Sequence, residues 1–277
     1  MTTKSTPTFT DILYEKGGGI ATVTINRPDT YNSVTQHSLE ELSAAFRDAG
    51  EDDEVGVIIF TGAGEKAFCS GGHMQSISER TSGIKRNHLR VMAGLALQMR
   101  TCGKPVIAAV NGFAIGLGNE LHMICDITIS AEHAKFGQTG PKVSSVPVWS
   151  CTQLLHRTIG EKRAREMLYF CRQYTAQQAL GMGLVNHVVP MAELMSTTRA
   201  WAEELLDKSP QSLRIAKLVF NQESDQSLWA GMFAGGEMLA QHVDSPEFLE
   251  GPTAWLEKRK PNFRTYRKRR VPVAKKG

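Results

Sequence analysis

The stretch Lys104–Asp126, KPVIAAVNGFAIGLGNELHMICD, decides the fold of this chain. Its first part, Pro105–Val110, is an apolar run rich in β-branched residues and alanine, which predicts a short strand buried on both faces. Three glycines follow within Asn111–Gly118, and apolar residues then recur at a helical period through Ile124. The stretch therefore predicts a strand, a glycine-rich turn and the start of a helix.

A second strand with a glycine-bearing loop stands upstream. Val55–Thr61 is another apolar run, and Gly62–His73, GAGEKAFCSGGH, follows it. Glycines let the backbone approach a ligand closely, and the N–H groups of a first helical turn carry partial positive charge. Two backbone N–H donors that converge on one carbonyl oxygen form an oxyanion hole. The two loops together favour such a site, whereas either loop alone is also explained by a tight turn.

The paired signatures AFCSGGHMQ, residues 67–75, and NGFAIGLGNELHMICD, residues 111–126, resemble those of the crotonase superfamily of enoyl-CoA hydratases and isomerases. Residues 136–145 and 171–190 are most similar to dihydroxynaphthoyl-CoA synthases and alicyclic ketoacyl-CoA hydrolases. The resemblance covers residues 9–266. It implies an α/β fold, a crotonase-like spiral of strand–strand–helix units with a helical C-terminal region.

Composition predicts a soluble globular protein. The chain has 277 residues, of which 41% are hydrophobic, and no apolar run approaches the length of about 18 residues needed for a membrane span. The polar start lacks the apolar core of a secretion signal. Five scattered cysteines without a Cys-x-x-Cys pair predict reduced thiols rather than disulfides or a zinc site. We therefore expect a cytoplasmic protein without a metal site.

The pattern divides the chain into four parts. They are a disordered N-terminus, 1–8, an α/β core, 9–200, a helical region, 201–266, and a basic tail, 267–277. Within them we expect a hairpin over Ile12–Ile25 and a helix over Gln36–Ala49 capped by Thr35. Further helices are predicted over Ile84–Met99, Met191–Lys208, Gln211–Val219 and Leu228–His242, and the chain after Gly160 is predicted to be almost entirely helical.

The resemblance implies that the backbone N–H groups of Gly72 and Leu117 bind the thioester oxygen of an acyl-CoA. Gly71 and Gly116 stand beside these donors and are expected to contact the same ligand. Glu120 occupies the position of the first catalytic glutamate of the hydratases, which implies acid–base chemistry. A glutamate in a first helical turn is also a common partner of the helix dipole. The synthases and ketoacyl hydrolases tend to have an apolar residue here, so Glu120 favours hydratase-like proton transfer.

Gly140 stands where the hydratases have their second glutamate. The naphthoate synthases also have glycine there, and a bound bicarbonate can replace the missing carboxylate, so bicarbonate near Gly140 is conceivable. Where the synthases and ring hydrolases carry an aspartate, this chain has Pro147, which cannot act as an acid or base. Ser145 matches a serine of the synthases and could bind a substrate oxygen. Trp149 could shape an apolar acyl pocket.

Other candidates are weaker. Arg27 follows the strand that lies near the coenzyme in the family, although a solvated arginine is the simpler interpretation. His73 could shuttle a proton, but a structural role is favoured, and His122 is expected to pack. His242 and Tyr266 lie near positions from which the family contributes groups to a neighbouring subunit. Cys69 and Ser70 invite a nucleophile hypothesis without a recognisable catalytic triad.

The favoured function is an acyl-CoA enzyme that stabilises a thioester enolate, most simply an enoyl-CoA hydratase-type lyase. The alternatives are ring-opening or ring-closing C–C bond chemistry on a cyclic or aromatic acyl-CoA, and a non-catalytic RNA-binding homologue prompted by the basic tail. Coenzyme A is expected as part of the substrate, with no tightly bound cofactor. Nucleic acid and membrane partners are not expected. Large apolar residues after the core predict a docked C-terminal segment in a homo-trimer or hexamer.

Overall fold

The computed structural model describes residues 9–79 and 81–267. Ten strands form a larger sheet of six and a smaller sheet of four. The strands are β1 Ile12–Gly17, β2 Ile20–Ile25, β3 Val57–Gly62, β4 Ala67–Cys69, β5 Val106–Val110, β6 Phe113–Ile115, β7 Ile127–Ala131, β8 Lys135–Gly137, β9 Gln173–Thr175 and β10 His187–Val189.

Ten α-helices surround the two sheets within the described ranges. They are α1 Gln36–Glu51, α2 Met74–Ser78, α3 Ser82–Thr101, α4 Leu117–Ile124, α5 Cys151–Ile159, α6 Glu161–Phe170, α7 Ala176–Gly181, α8 Leu194–Leu206, α9 Pro210–Val243 and α10 Pro246–Leu256. None of the helices in these ranges combines the length and the apolar character needed to cross a membrane.

The larger sheet has the order β1-β2-β3-β5-β7-β10, and only its β1–β2 hairpin is antiparallel. Its central strands are buried on both faces, as the sequence predicts. Ile58 and Phe60 of β3 point to the main core, whereas Val57 and Ile59 join a second core under α8. A strand that is covered on both faces needs a continuous apolar run rather than alternation.

The smaller sheet has the order β4-β6-β8-β9. Each of β3, β5 and β7 in the larger sheet is followed along the chain by one short parallel strand of the smaller sheet. The chain thus winds repeatedly between the two sheets, and the predicted α/β fold with strand–strand–helix units is confirmed.

Helix α1 begins as predicted. The Thr35 side chain accepts a hydrogen bond from the Ser38 N–H at 3.1 Å, and the Ser38 hydroxyl accepts one from the Thr35 N–H at 3.1 Å. Two N–H groups at the helix start are therefore satisfied by this capping box.

The helical region differs from the prediction in one respect. The two helices predicted over Gln211–Val219 and Leu228–His242 are one continuous helix, α9. The polar residues between them face α3, where the Arg100 guanidinium donates to Asn221 Oδ1 at 2.7 Å and to Asp225 Oδ1 at 2.5 Å. A buried cation on α3 therefore gives this polar stretch a partner inside the fold.

The chain after Gly160 also contains two strands that the sequence analysis missed, β9 and β10. Each has only three residues, which is too short to show a periodic pattern. They complete the edges of the smaller and the larger sheet.

The C-terminal helices dock on the same chain. Leu228, Met232, Leu239 and Phe248 are buried, which agrees with the predicted docked segment, whereas Trp255 is 56% exposed. The predicted disordered N-terminus, 1–8, lies outside the described residues. So does the predicted basic tail apart from Arg267.

Candidate active site

Two glycine-bearing loops leave the same edge of the smaller sheet. Strands β4 and β6 are parallel neighbours, with Ala67 opposite Phe113 and Cys69 opposite Ala114. Because the carboxyl ends of parallel strands meet at one edge, the loops after β4 and β6 lie side by side. A Cβ atom placed on Gly71 would lie 3.3 Å from the Ile115 carbonyl oxygen.

Glycine is required at two positions of the second loop. Gly116 has φ of 59° and ψ of −120°, a backbone conformation that other residues rarely adopt. A Cβ atom on Gly118 would lie 1.9 Å from the Cys69 carbonyl oxygen, so a methyl group cannot be accommodated there without movement. The first turn of α4 therefore packs directly on the backbone of β4.

The predicted donors Gly72 and Leu117 have suitable backbone orientations. Val34 pairs with Gly72 in an isolated parallel bridge: the Val34 N–H donates to Gly71 O, and the His73 N–H donates to Val34 O, each at 2.9 Å. The Gly72 N–H therefore points away from Val34. Leu117 is the first residue of α4 and has no intrahelical acceptor. Neither N–H takes part in a hydrogen bond among residues 9–79 and 81–267.

Both donors line one cavity of about 120 Å³. Gly71, Gly116 and Glu120 also line it, so the structure brings these predicted site residues together. Much of the wall is apolar and comes from segments that are far apart in the sequence. Its apolar residues include Leu89, Met92, Val148, Trp149, Leu239 and Phe248.

Glu120 lies on α4 at the inner end of this cavity and is 5% exposed. Its Oε1 accepts hydrogen bonds from the Ser150 N–H at 2.9 Å and the Cys151 N–H at 3.4 Å. Glu120 thus also caps α5, which is a structural role at a helix other than its own. Burial raises the pKa of Glu120 to about 7, opposed by these backbone N–H groups and by the positive charge of Lys85. A carboxyl with this pKa can both release and take up a proton near neutral pH.

Two further polar residues of the cavity, Lys85 and His88, were missed by the sequence analysis. They are 7% and 4% exposed and stand one turn apart on α3. The spacing could have revealed them, because Lys85, His88, Met92, Leu95 and Met99 form one helical stripe, and the last three belong to the core. The polar start of this stripe is what faces the cavity.

Gly140 and Ser145 line the cavity as well. A Cβ atom on Gly140 would lie 2.7 Å from the Ser145 carbonyl oxygen, so the space that a second glutamate would need is filled. Bicarbonate near Gly140 stays a prediction.

Trp149 closes one side of the cavity. Its indole Nε1–H donates to the Met92 carbonyl oxygen at 2.7 Å, and the side chain is 1% exposed. This agrees with the expectation that Trp149 shapes an apolar pocket.

A second, larger cavity of about 810 Å³ adjoins the first. We call the first the inner cavity and the second the outer cavity. The two share Ser70, Gly72, Met74, Thr139 and Val143. Lys142, Trp255 and Arg259 also line the outer cavity, and the Arg259 guanidinium is ion-paired with Glu250 and Glu257. The two cavities are therefore neighbours that share part of their walls.

Arg27 lines neither cavity. Its guanidinium donates to the Ser33 carbonyl oxygen at 2.5 Å and lies 3.4 Å from Asp11 Oδ2. Coenzyme binding by Arg27 stays a prediction. His73 precedes α2 and lies in the outer cavity, where its Nδ1 is 3.3 Å from Ser76 Oγ.

The remaining candidates lie away from the inner cavity. His122 is buried and contacts Asn119 and Thr128, and burial lowers its pKa to about 3, so it packs as expected. The Nδ1 atom of His242 lies 3.1 Å from Ser245 Oγ. Tyr266 is 39% exposed. The contribution of His242 and Tyr266 to a neighbouring subunit stays a prediction.

The Cys69 thiol is a poor nucleophile here. All five cysteines are unpaired, and burial raises the pKa of Cys69 to about 12, so this thiol stays protonated at neutral pH. Within residues 9–79 and 81–267, no three His, Cys, Asp or Glu side chains are grouped so that they could hold a metal ion.

Comparisons with known proteins agree with this fold. The family model described as "Enoyl-CoA hydratase/isomerase" matches residues 15–266. An enoyl-CoA hydratase from Mycobacterium avium subsp. paratuberculosis K-10 is similar, with 28% identity, a TM-score of 0.83, and coverage of 92% of this chain and 99% of that chain. An enoyl-CoA hydratase from Bacillus anthracis shares 32% identity, with a TM-score of 0.75 and coverage of 91% and 98%. An enoyl-CoA hydratase/isomerase from Xanthobacter autotrophicus Py2 shares 29% identity, with a TM-score of 0.81 and coverage of 92% and 100%.

Proposed function

Because this chain belongs to the enoyl-CoA hydratase/isomerase family, we propose that it adds water to, or removes it from, the acyl group of an acyl-CoA. The observation that carries the proposal is the buried carboxyl of Glu120, with a pKa of about 7, in the cavity lined by Gly72 and Leu117. An acid–base group and two candidate oxyanion donors thus share one small chamber.

The thioester oxygen binds the N–H groups of Gly72 and Leu117. When the enolate forms, negative charge moves onto this oxygen, and each donor contributes roughly 3–4 kcal/mol to the transition state. The orientation of the Gly72 peptide by Val34 and the position of Leu117 at the start of α4 support this assignment. The hole costs little to form because its donors are fixed before the substrate binds.

Glu120 moves the proton. Its carboxylate takes a proton from a water molecule as the water oxygen bonds to C3 of the enoyl group, and the electron pair of the double bond moves into the enolate. The protonated carboxyl then gives that proton to C2, so water is added across the double bond. A pKa near neutrality suits both half-steps, since neither form of the carboxyl is strongly favoured.

The outer cavity is the proposed site of the coenzyme. Its volume of about 810 Å³ and the ammonium group of Lys142 suit a large ligand with phosphate groups. Thr139 and Gly72 lie in both cavities, so the pantetheine arm passes between them to bring the thioester to the two donors.

A second candidate reaction is movement of the double bond. Glu120 is the one carboxylate among the described residues that line the inner cavity. Isomerisation needs a single base, which removes a proton from one carbon and returns it to another, whereas hydration also requires a bound and oriented water. The same residues would serve both reactions.

Isotope-labelled water separates the two reactions. The enzyme is incubated in water carrying heavy oxygen with linear 2-enoyl- and 3-enoyl-CoAs and with cyclic ketoacyl-CoAs. The masses and fragments of the products are then measured by mass spectrometry. We expect heavy oxygen in a 3-hydroxyacyl-CoA. A moved double bond in a product without heavy oxygen would assign isomerisation, and a ring-opened product would assign C–C bond cleavage.

Glu120→Gln tests the assigned base. We expect acyl-CoA binding to be retained and turnover to fall by at least about 10²-fold, the scale of general acid–base catalysis. Turnover near that of the unmodified enzyme would return Glu120 to its capping role and contradict the mechanism.

A further inference from the structure

Two ionisable side chains interrupt the apolar wall of the inner cavity. Lys85 and His88 lie on α3, whereas Gly72 and Leu117 lie on the loops of the smaller sheet. A substrate whose thioester lies at the two loops therefore extends its acyl group into a chamber that α3 also lines. Both α3 side chains are more than nine-tenths buried.

The tautomer of His88 follows from its neighbours. Gln36 Nε2 donates to Glu40 Oε1 at 2.9 Å, which fixes the amide so that Gln36 Oε1 faces His88 Nδ1, also at 2.9 Å. Because an amide oxygen accepts, His88 carries its proton on Nδ1. The Nε2 atom of the neutral ring is therefore an acceptor, and Lys85 is the side-chain donor of α3 in this cavity.

Lys85, His88 and Glu120 are the ionisable groups among the described residues that line the cavity. Lys85 acts electrostatically on Glu120. Trp149, Met92 and Leu89 surround this region with apolar groups, so charge interactions there are screened less than in water. A hydrocarbon acyl chain would meet only the apolar part of this wall.

We propose that the acyl group of the substrate carries a carboxylate that Lys85 binds inside the cavity. This inference rests on the proposed acyl-CoA function and deepens it. The enzyme would thus prefer the CoA thioesters of dicarboxylic acids to those of simple fatty acids. Lys85 would determine specificity, and Glu120 would keep its role in proton transfer.

The test compares pairs of 2-enoyl-CoAs of matched length that end in a methyl group or in a carboxylate. The quantity measured is the ratio of the two kcat/KM values, because an effect of Lys85 on Glu120 changes both and cancels in the ratio. Removing one charged hydrogen bond changes affinity by roughly ten- to hundredfold. We expect Lys85→Met to lower the ratio for the carboxylated substrate by that factor.

Two variants serve as controls. Lys85→Arg keeps the charge and is expected to keep most of the preference. Lys162→Met removes an exposed lysine of α6 and is expected to leave the ratio unchanged. If the unmodified enzyme prefers the methyl-ended substrates, or if Lys85→Met lowers both kcat/KM values equally, the proposal is wrong.

Failure of the reaction itself is a separate outcome. If no enoyl-CoA is turned over, the proposed function fails, and calorimetry with saturated acyl-CoAs then decides the inference. Tighter binding of the carboxylated thioester that is lost in Lys85→Met would support the carboxylate site. Equal binding of both thioesters by the unmodified protein would overturn it.

Discussion

Replacing Glu120 by Gln is expected to change how the stability of this protein depends on pH. The carboxyl is buried beside the start of α5, and burial raises its pKa from 4.5 to about 7. Folding therefore favours the protonated form of this group. Glutamine keeps an acceptor oxygen for the Ser150 N–H but does not titrate.

The sign and the size of this pH-dependent change in stability follow from the two pKa values of Glu120. The stabilisation of the protonated carboxyl is fully present below pH 4.5, decreases as the pH rises, and is lost once the pH has passed about 7. A shift of this size corresponds to roughly 3 kcal/mol, at 1.36 kcal/mol for each pKa unit. The free energy of unfolding of the unmodified protein should thus fall by roughly 3 kcal/mol relative to Glu120→Gln between pH 4.5 and pH 8.

Urea denaturation at half-unit intervals of pH measures this difference. Glu65→Gln is the matched control, because Glu65 is exposed and the substitution is chemically the same. Its stability should follow that of the unmodified protein. If the difference between the unmodified protein and Glu120→Gln stays constant over this pH range, the carboxyl is not desolvated as described and the acid–base assignment loses its physical basis.

Further outcomes are expected from other features. If Glu120 acts as a base, kcat/KM should rise with pH through one ionisation near 7, and a profile without this limb would contradict the role. Gly118→Ala should lower the free energy of unfolding by at least about 2 kcal/mol and disrupt the site, because its methyl group would lie 1.9 Å from a carbonyl oxygen of β4. Gly94→Ala, with open space around it, should be neutral or stabilising, and equal losses would contradict this account. Lys217→Met should cost roughly 2 kcal/mol or more in urea denaturation, since it breaks a 2.8 Å ion pair with Asp126, which is only partly exposed. Adding bicarbonate to degassed enzyme should raise the rate if this anion binds near Gly140, and an unchanged rate would leave Glu120 as the single carboxylate of the mechanism.

Local sequence patterns were enough to predict most elements of the core. The apolar runs of β3 and β5 give buried strands, the Gly17–Gly19 turn gives the β1–β2 hairpin, and Thr35 begins α1. In each case the decisive interaction lies within a few residues of the pattern, so sequence spacing is informative.

Contacts between distant segments could not be predicted in this way. The break predicted within α9 depended on polar residues whose partner, Arg100, lies more than 120 positions earlier in the chain. The backbone N–H groups that hold the Glu120 carboxylate belong to a helix 30 residues away. Lys85 and His88 showed a helical spacing, but only the fold shows that this face of α3 borders a cavity rather than solvent.

The wall of the inner cavity draws on segments from nearly the whole length of the chain. Its oxyanion loops come from the first half, but Leu239 and Phe248 come from the last two α-helices. During synthesis on a ribosome, the loops therefore emerge long before their enclosure. A chain that stops before residue 239 would have both loops, but its chamber would lack Leu239 and Phe248 and would be open to water. The chamber can therefore close only after synthesis has passed this point.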